Sequence, residues 1–260
     1  MTTEERLEKL ERKIEEMQTE IRTKALCVLD DQGQERIKLV VDEYGPGLLM
    51  KDTNGKTRAV MTVGKDEPTL VLSDANGKTC AMLTVIPDGP GLVMCDENGK
   101  TRVKIVVLKD GPGLNLLDEK GKIRAEMNVD KVGSGLVMRD EDGNPRAQMS
   151  VGEYGPLLFM KDENGKTRTT MAALKDGPGL CMNDANDKNR VMMNVSKDGP
   201  ELSLGDANGK TRATMSVGEY GPTMAVADAN GTPRVSMAVI KDKPWLFIFD
   251  VKAKPIWTAP

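Results

Sequence analysis

The sequence predicts an all-β repeat protein with a short α-helical coiled coil at its N-terminus. Ten copies of Asp-x-x-Gly-x-x-Arg, or a close variant, recur every 22 residues without insertion or deletion. Apolar and polar residues alternate between the copies, which is typical of β-strands, whereas the residues before the first copy follow a helical spacing. A fixed period means that each unit stacks on its neighbour in one geometry. The repeats begin at Asp30, Asp52, Asp74, Asp96, Asp118, Asp140, Asp162, Asp184, Asp206 and Asp228.

Residues 1–24 are predicted to form the coiled-coil segment. Apolar residues separated alternately by three and four positions match the a and d positions of a heptad, with Glu, Lys and Arg between them. Three heptads are marginal as a lone helix in water, so we expect the segment to set chain number and register. The alternative is an amphipathic helix that packs on the first repeat. The predicted trimerisation residues are Leu7, Leu10, Ile14, Met17 and Ile21.

Residues 25–242 are predicted to form ten β-hairpins. In the second repeat, Leu48 and Met50 stand four and two residues before the repeated Asp, and the other repeats follow the same pattern. After the Arg, a second strand carries Ala59, Met61 and Val63 at alternate positions, with polar residues such as Thr between them. Each hairpin is therefore expected to have one face of Leu, Met, Ala and Val, and the hairpins together form an antiparallel meander.

The turn at the repeated Asp is expected to fix the register. Asp-x-Asn-Gly combines an Asp at the first turn position with the Asn-Gly pair that favours two-residue hairpin loops. That loop pairs Asp52 with Thr57 and Met50 with Ala59, whereas a three-residue loop would place Met50 opposite Arg58 and split the apolar face. The sequence thus predicts the two-residue loop. The second connection of each repeat carries Gly and Pro residues, which end strands.

Residues 243–260 differ from the repeats because they hold half of the eight aromatic residues. One interpretation is a cap that closes the end of the apolar core, as terminal repeats must. The other is a partner-binding tip, in which an aromatic ring stacks on a glycan or anchors a partner protein. The residues of this candidate tip are Trp245, Phe247, Phe249 and Trp257.

An apolar face along the whole meander needs a cover, because a large exposed stripe of Leu and Met is costly in water. The sequence predicts that the same face of other chains covers it, in a homotrimeric triangular β-prism. A narrow prism core suits flexible Met side chains with few aromatic residues. In layout, a coiled coil followed by stacked β-structure, the chain resembles trimeric fibrous β-proteins such as viral tail fibres and adhesin stalks. That resemblance implies an elongated structural protein.

Two other arrangements fit the same period. Residues 88–153 and 154–219 resemble each other, which adds a 66-residue period to the 22-residue one. Three hairpins would then form one turn of a single-chain triangular β-solenoid. Alternatively, 44 residues would form a four-stranded blade of a β-propeller.

Enzymatic and cofactor-binding functions are not expected. Histidine is absent, and a repeat gives every site ten near-copies where an active site needs one distinctive constellation. Asn-Gly-Lys-Thr lacks the first Gly of a P-loop, and the Asp-rich turns lack the spacing of calcium loops. We expect no cofactor or metal, and a function as a fibre, stalk or scaffold, or else as a module that binds a glycan or protein.

Charge and cysteine content limit the classes of partner and the cellular compartment that the sequence is consistent with. The net charge of −3 argues against a generic nucleic-acid or anionic-membrane partner, and no apolar stretch is long enough to span a bilayer. The four cysteines show no C-x-x-C spacing and are expected to be reduced thiols. The N-terminus lacks the apolar core of a signal peptide. The expected location is therefore the cytoplasm or a larger particle such as a virion.

Overall fold

The computed structural model describes residues 1–19, 23–65 and 67–260, with the backbone alone for residues 16–19. These residues form one α-helix and 22 β-strands, which confirms the predicted all-β fold. The chain divides into two units, Met1–Lys109 and Asp110–Pro260. Every strand pairing within each unit is antiparallel and joins strands that follow each other in sequence, so each unit is a meander of hairpins.

Helix α1 spans Thr3–Thr19 and begins with a capping box. The Glu5 amide donates to Oγ1 of Thr2 at 3.3 Å, and the Thr2 amide donates to the Glu5 carboxylate at 2.7 Å. Leu7, Leu10 and Ile14 are each more than half exposed, so they do not pack on the first repeat and that alternative is wrong. The coiled coil stays a prediction. The Met17 side chain and Ile21 lie outside the described parts of the chain.

Unit 1 contains the helix and eight strands. Each strand pairs with the next along the chain. The strands are β1 Ala25–Leu29, β2 Glu35–Asp42, β3 Gly45–Lys51, β4 Thr57–Val63, β5 Pro68–Ser73, β6 Thr79–Ile86, β7 Gly89–Cys95 and β8 Thr101–Leu108.

Unit 2 contains fourteen strands, again paired in chain order. Because this ladder has no break after every fourth strand, the four-stranded blades of a propeller are not present. The strands are β9 Gly111–Leu117, β10 Ile123–Val129, β11 Gly133–Arg139, β12 Pro145–Gly152, β13 Gly155–Lys161, β14 Thr167–Leu174, β15 Gly177–Asn183, β16 Asn189–Ser196, β17 Gly199–Gly205, β18 Thr211–Gly218, β19 Gly221–Ala227, β20 Pro233–Ile240, β21 Lys243–Phe249 and β22 Pro255–Ala259.

The turn at the repeated Asp is not the predicted two-residue loop. The Gly55 amide donates to the Asp52 carbonyl at 2.9 Å, and the Asp52 amide donates to the Lys56 carbonyl at 2.9 Å. These bonds close a three-residue loop, in which Gly55 takes a φ of 81° that glycine adopts freely. Lys51, rather than Asp52, lies opposite Thr57. The Gly of Asn-Gly therefore ends a type I turn in the left-handed conformation.

A bulge at the repeated Arg restores the predicted apolar face. Met50 lies opposite Ala59 as expected, while Arg58 has no partner residue across the ladder. The same position is skipped in all eleven described hairpins. The three-residue loop shifts the pairing by one residue, and the extra residue at the bulge shifts it back. Side chains of the same face therefore still lie opposite each other. The predicted face is correct, but its cause is the bulge and not an even loop.

Most connections between hairpins are tight turns that end in a glycine. Pro87 and Asp88 connect Ile86 to Gly89, and these last two residues lie opposite each other. Gly89 has a φ of 135°, and a Cβ built there would lie 1.9 Å from the carbonyl oxygen of Val107 on the next strand. The glycine is needed because two backbones meet closely, a reason beyond the strand-ending role predicted from sequence.

The C-terminal segment 243–260 forms an eleventh hairpin, β21–β22, which continues the ladder from β20. Its turn has the same bonds as the others, since the Asp250 amide donates to the Lys254 carbonyl at 2.9 Å. Ala253 occupies the glycine position with a φ of 58°.

Candidate functional site

One face of each unit carries three rows of apolar side chains. In the first row Leu alternates with Met or another large aliphatic residue, as Leu48 lies opposite Met61. In the second row Met, Leu or Val alternates mainly with Ala, as Met50 lies opposite Ala59. The third row alternates mainly Val with Pro. Between residues 26 and 259 these rows contain no Asp, Glu, Lys or Arg.

The described part of the chain does not cover this apolar face. The only buried residue there is Ser203, with 6% of its surface exposed, and it lies on the opposite face of its strand from Leu202 and Leu204. Met149 is 52% exposed, although its neighbours in the sheet are apolar. Half-exposed large side chains recur every 11 residues, one on each strand: Met50, Met61, Leu72, Leu83, Met94, Ile105, Leu116, Met127, Met138, Met149, Met160, Met171, Met182, Met193, Leu204, Met215, Val226, Met237 and Ile248.

Shallow grooves run between the first row and the Val and Pro row. One groove in unit 2, of about 540 Å³, is lined by Met171, Leu180, Met193 and Leu202 together with Val and Pro residues. Its lining is almost entirely apolar, which suits contact with another apolar surface better than orientation of a polar ligand.

The repeated Asp side chains satisfy the turn amides. One carboxylate oxygen of Asp96 accepts from the Asn98 amide at 2.9 Å and from the Lys100 amide at 3.0 Å. The second oxygen accepts from Nη1 of Arg102 at 3.4 Å. The two amide bonds recur at every repeated Asp and at Asp250. The interpretation of these carboxylates as turn-forming groups is confirmed.

These bonds lower the pKa of nine of the repeated carboxyl groups. At Asp96 the Lys100 amide is the largest cause, partial desolvation opposes it, and the Asn98 amide and Arg102 add to the lowering. At Asp184 the Asn186 amide contributes most. A lowered pKa is also found at Asp30, Asp52, Asp74, Asp118, Asp140, Asp206 and Asp228.

In five repeats the bulged Arg joins its hairpin to the next one in the same unit. Nε of Arg58 donates to the Ser73 carbonyl at 2.8 Å, while its Nη1 donates to Asp52 of its own turn at 3.3 Å. We call this pair of contacts the Arg staple. In each case the carbonyl belongs to the residue 15 positions later. The Nε bond recurs at 2.8–3.1 Å from Arg124 to Arg139, Arg146 to Lys161, Arg190 to Gly205 and Arg212 to Ala227.

Repeated Lys residues make a second link between consecutive turns. Nζ of Lys122 donates to the Glu141 carbonyl at 2.9 Å, and Nζ of Lys166 donates to the Ala185 carbonyl at 2.8 Å. These Lys side chains are therefore engaged with acceptors of the same chain. The Lys links lie at the edge of the sheet formed by the Asp turns. The Arg staples lie on the face opposite the apolar rows.

The candidate aromatic tip is divided between the two faces. The rings of Trp245 and Phe247 stack with centroids 5.8 Å apart, and those of Phe247 and Phe249 stack at 6.1 Å. These three alternate with Leu246 and Ile248, so they lie on the face opposite the apolar rows. Trp257 lies on the other face, among the apolar rows.

Trp257 lies opposite Ile248, which places it in an apolar row, and 47% of its surface is exposed. The four aromatic residues predicted as one tip are close in sequence but do not share one face of the sheet. The alternation of strand faces could have separated Trp257 from the other three.

Groups suited to metal binding or membrane spanning are not found in the described ranges. Within residues 1–19, 23–65 and 67–260, no cluster of three Cys, Asp or Glu side chains is arranged to hold a metal ion. No helix in these ranges is long and apolar enough to cross a bilayer.

Comparisons with known proteins do not assign a family. No family model and no curated protein matches the chain. Among solved structures, a TarM variant from S. aureus in complex with Fondaparinux, alpha-GlcNAc-glycerol and UDP is 12% identical, with a TM-score of 0.25; the match covers 45% of this chain and 22% of that one. The TcdB2-TccC3-Cdc42 complex is 10% identical with a TM-score of 0.20, covering 94% and 14% of the two chains. TcdB2-TccC3 is 11% identical with a TM-score of 0.21, covering 90% and 17%. The chain thus spans less than a quarter of each neighbour.

Proposed function

We propose that this protein is a non-enzymatic structural protein whose chains assemble through their apolar faces into an elongated homo-oligomer. Such an assembly would serve as a fibre, stalk or scaffold that holds one end away from the other. The observation that carries the proposal is the set of three uncharged rows of Leu, Met, Ala, Val and Pro, which the described chain leaves open to solvent.

The exposed area supports an extensive interface. The chain exposes 18591 Å², whereas a compact monomer of 28.3 kDa exposes about 11,000 Å² by the usual scaling of area with mass. The excess is roughly 7,000 Å². A specific protein interface needs only about 800 Å² from each partner, so the surplus is several times what stable association requires.

A second copy of the same chain is the occupant that fits this face. The rows repeat with a fixed 22-residue period, so a partner must offer apolar groups at the same spacing over a comparable length. Another copy does so, and Met side chains can adapt to one another in a narrow core. The uncharged rows allow such contact without burying a charge.

Helix α1 favours a parallel assembly of the chains. Leu7, Leu10 and Ile14 form an exposed apolar stripe that would bring the N-termini of the chains together. Three sheets around one axis form a triangular prism, whose thin core suits the near absence of aromatic residues in the rows. Homotrimers of this shape are the arrangement we propose over a two-sheet sandwich.

The molar mass in solution tests the assembly. Light scattering coupled to size exclusion should give three times 28.3 kDa at micromolar concentration. A mass of one chain at that concentration overturns the proposal. A mass of two chains keeps self-association through the apolar face and overturns the prism.

A second candidate function is recognition of a neutral glycan by the stacked rings of Trp245, Phe247 and Phe249. The observation that favours it is their place on the face that the proposed assembly leaves outside. Stacked aromatic rings offer flat apolar area that pairs with sugar rings. An immobilised panel of neutral oligosaccharides provides the probe. Trp245→Ala should abolish binding at unchanged molar mass, while Phe159→Ala, at the repeat position equivalent to Phe247, should retain it. Absence of binding by the wild type excludes this candidate.

A further inference from the structure

The junction between the third and fourth hairpins has no Arg that could form the Arg staple. In the repeat that begins at Asp74, the bulged position holds Cys80 where the other nine repeats of this kind hold Arg. The link from Asp74 to the next hairpin through a guanidinium is therefore missing there. The thiol of Cys80 has only a weak contact, with the Lys78 carbonyl at 3.7 Å.

The residue that faces this position is also a cysteine. In five other repeats, Nε of the bulged Arg donates to the backbone carbonyl of the residue 15 positions later, and 15 positions after Cys80 stands Cys95. The ladder between β6 and β7 pairs Ala81 with Met94, so Cys80 and Cys95 are the next residues on the two strands. Both lie on the face opposite the apolar rows, and both are partly accessible and unoxidised.

The separation of these strands suits a disulfide. Residues opposite each other in antiparallel strands have Cα atoms about 4.5–5.5 Å apart. A disulfide joins Cα atoms about 4.4–6.8 Å apart, most often near 5.5 Å. Among the ten repeats, cysteine occurs once at the bulged position and once at the facing position, and both occurrences fall at the same junction.

We propose that Cys80 and Cys95 are a thiol pair that small-molecule disulfides oxidise to an intrachain disulfide, which replaces the missing Arg staple between the third and fourth hairpins. One cysteine thiolate attacks oxidised glutathione, which forms a mixed disulfide and releases one glutathione thiolate. The other cysteine thiolate then attacks the protein sulfur of that mixed disulfide and releases the second glutathione. Two electrons pass to the reagent, and the two released thiolates take up the two thiol protons.

The other two cysteines lack such a partner and serve as internal controls. The Cys27 thiol donates to the Glu35 carboxylate at 3.1 Å, and this bond raises the pKa of the thiol. The Cys181 thiol donates to Oδ1 of Asn183 at 3.4 Å. Neither faces a cysteine across its ladder, because Cys27 pairs with Lys38 and Cys181 with Met192 and Thr170.

Mass spectrometry of the full-length protein tests the proposal. The reduced protein is incubated with oxidised glutathione, alkylated and digested with trypsin, which releases residues 79–100 as one peptide that contains both cysteines. We expect this peptide to lose the mass of two hydrogen atoms, while the peptides of Cys27 and Cys181 carry glutathione or the alkyl label. Glutathione or the alkyl label on both Cys80 and Cys95, or a bond from either one to another cysteine, overturns the proposal.

Matched variants and a denaturant control separate the fold from simple nearness in sequence. Cys181→Ser should form the bond as fast as the wild type, whereas Cys95→Ser should leave Cys80 as a mixed disulfide with glutathione. The wild-type bond should form faster in buffer than in concentrated urea, because the ladder holds the two strands together. Equal rates in the two solvents contradict the claim that the fold pairs these thiols.

Discussion

A charge placed in the apolar rows should dissociate the proposed assembly. Met149 is 52% exposed in the single chain, and it lies between Leu136 and Leu158 on the two neighbouring strands. Full burial of a Met side chain contributes about 1.5–3 kcal/mol, so covering the exposed half contributes about 0.8–1.5 kcal/mol per chain. Replacing Met149 by Lys removes this term in each copy and adds the cost of desolvating an ammonium group.

For three chains the lost burial alone amounts to roughly 2–5 kcal/mol, which raises the overall dissociation constant about 30- to 4,000-fold. The matched control is Gln148→Lys, because Gln148 is the neighbouring residue on the opposite face and lies across from Phe159. Sedimentation equilibrium at several concentrations measures the assembly, and circular dichroism checks that the strands persist. A Met149→Lys protein with the wild-type mass at every concentration, or equal dissociation by both variants, refutes the assignment of the interface to this face.

Three further predictions concern the turns and the repeated carboxylates. Gly165→Ala should lower the free energy of unfolding, measured by urea titration, by about 1–2 kcal/mol. Gly177→Ala should lower it by clearly more, because its added Cβ would lie 1.7 Å from the Val195 carbonyl oxygen, whereas the Cβ at Gly165 has no atom within 4 Å. Equal costs for the two variants would contradict this. Ala253→Gly should raise the free energy of unfolding by about 1 kcal/mol, since Ala253 holds a φ of 58°, and an unchanged urea midpoint would count against strain there. The pKa values of repeated Asp residues such as Asp96 and Asp184 are lowered by folding, so these groups stabilise the folded state above the unfolded pKa of about 3.9. The urea midpoint should therefore stay constant from pH 7 to pH 5 and decrease below pH 4 as these groups become protonated. A urea midpoint that increases below pH 4 would contradict the expected direction.

The alternation of residue types was enough to predict the fold and the apolar face. Leu48 and Met50 share a face with Ala59 and Met61 because side chains alternate along a strand, whatever turn joins the strands. The loop length was predicted wrongly since Asn-Gly supports both a two-residue turn and a longer loop that ends in a left-handed Gly. Choosing between them required the bulge at Arg58, which the period alone does not reveal.

The contacts between hairpins could not be read from single repeats. The Arg58 staple joins residues 15 positions apart through a side chain and a backbone carbonyl, so no residue type marks the accepting partner. That Cys80 and Cys95 follow the paired residues Ala81 and Met94 becomes visible only after the register is known. The capping box of Thr2 and Glu5, in contrast, is a sequence signature that was available and unused.

In the proposed assembly the two faces of the sheet have separate roles, so the number of repeats could change without changing the interface. Asp turns close the hairpins, and Arg staples and Lys links connect several of them to the next hairpin in the chain, away from the apolar rows. The rows themselves offer every repeat the same surface for other copies. Removing one whole repeat should therefore shorten the ladder by two strands, or about 10 Å, without changing how the chains associate.

Deletion of residues 140–161 tests this separation, because it joins Arg139 to Asp162 in the same repeat phase. We expect the wild-type number of chains per assembly, measured by light scattering, and particles about 10 Å shorter by small-angle scattering. The control deletion removes residues 151–161, which takes out one strand and reverses the direction of every later one. That variant should lose the common register of the apolar rows and aggregate or misfold. If the whole-repeat deletion alters the number of chains, the interface depends on features outside the repeated rows, and the apolar face alone does not determine assembly.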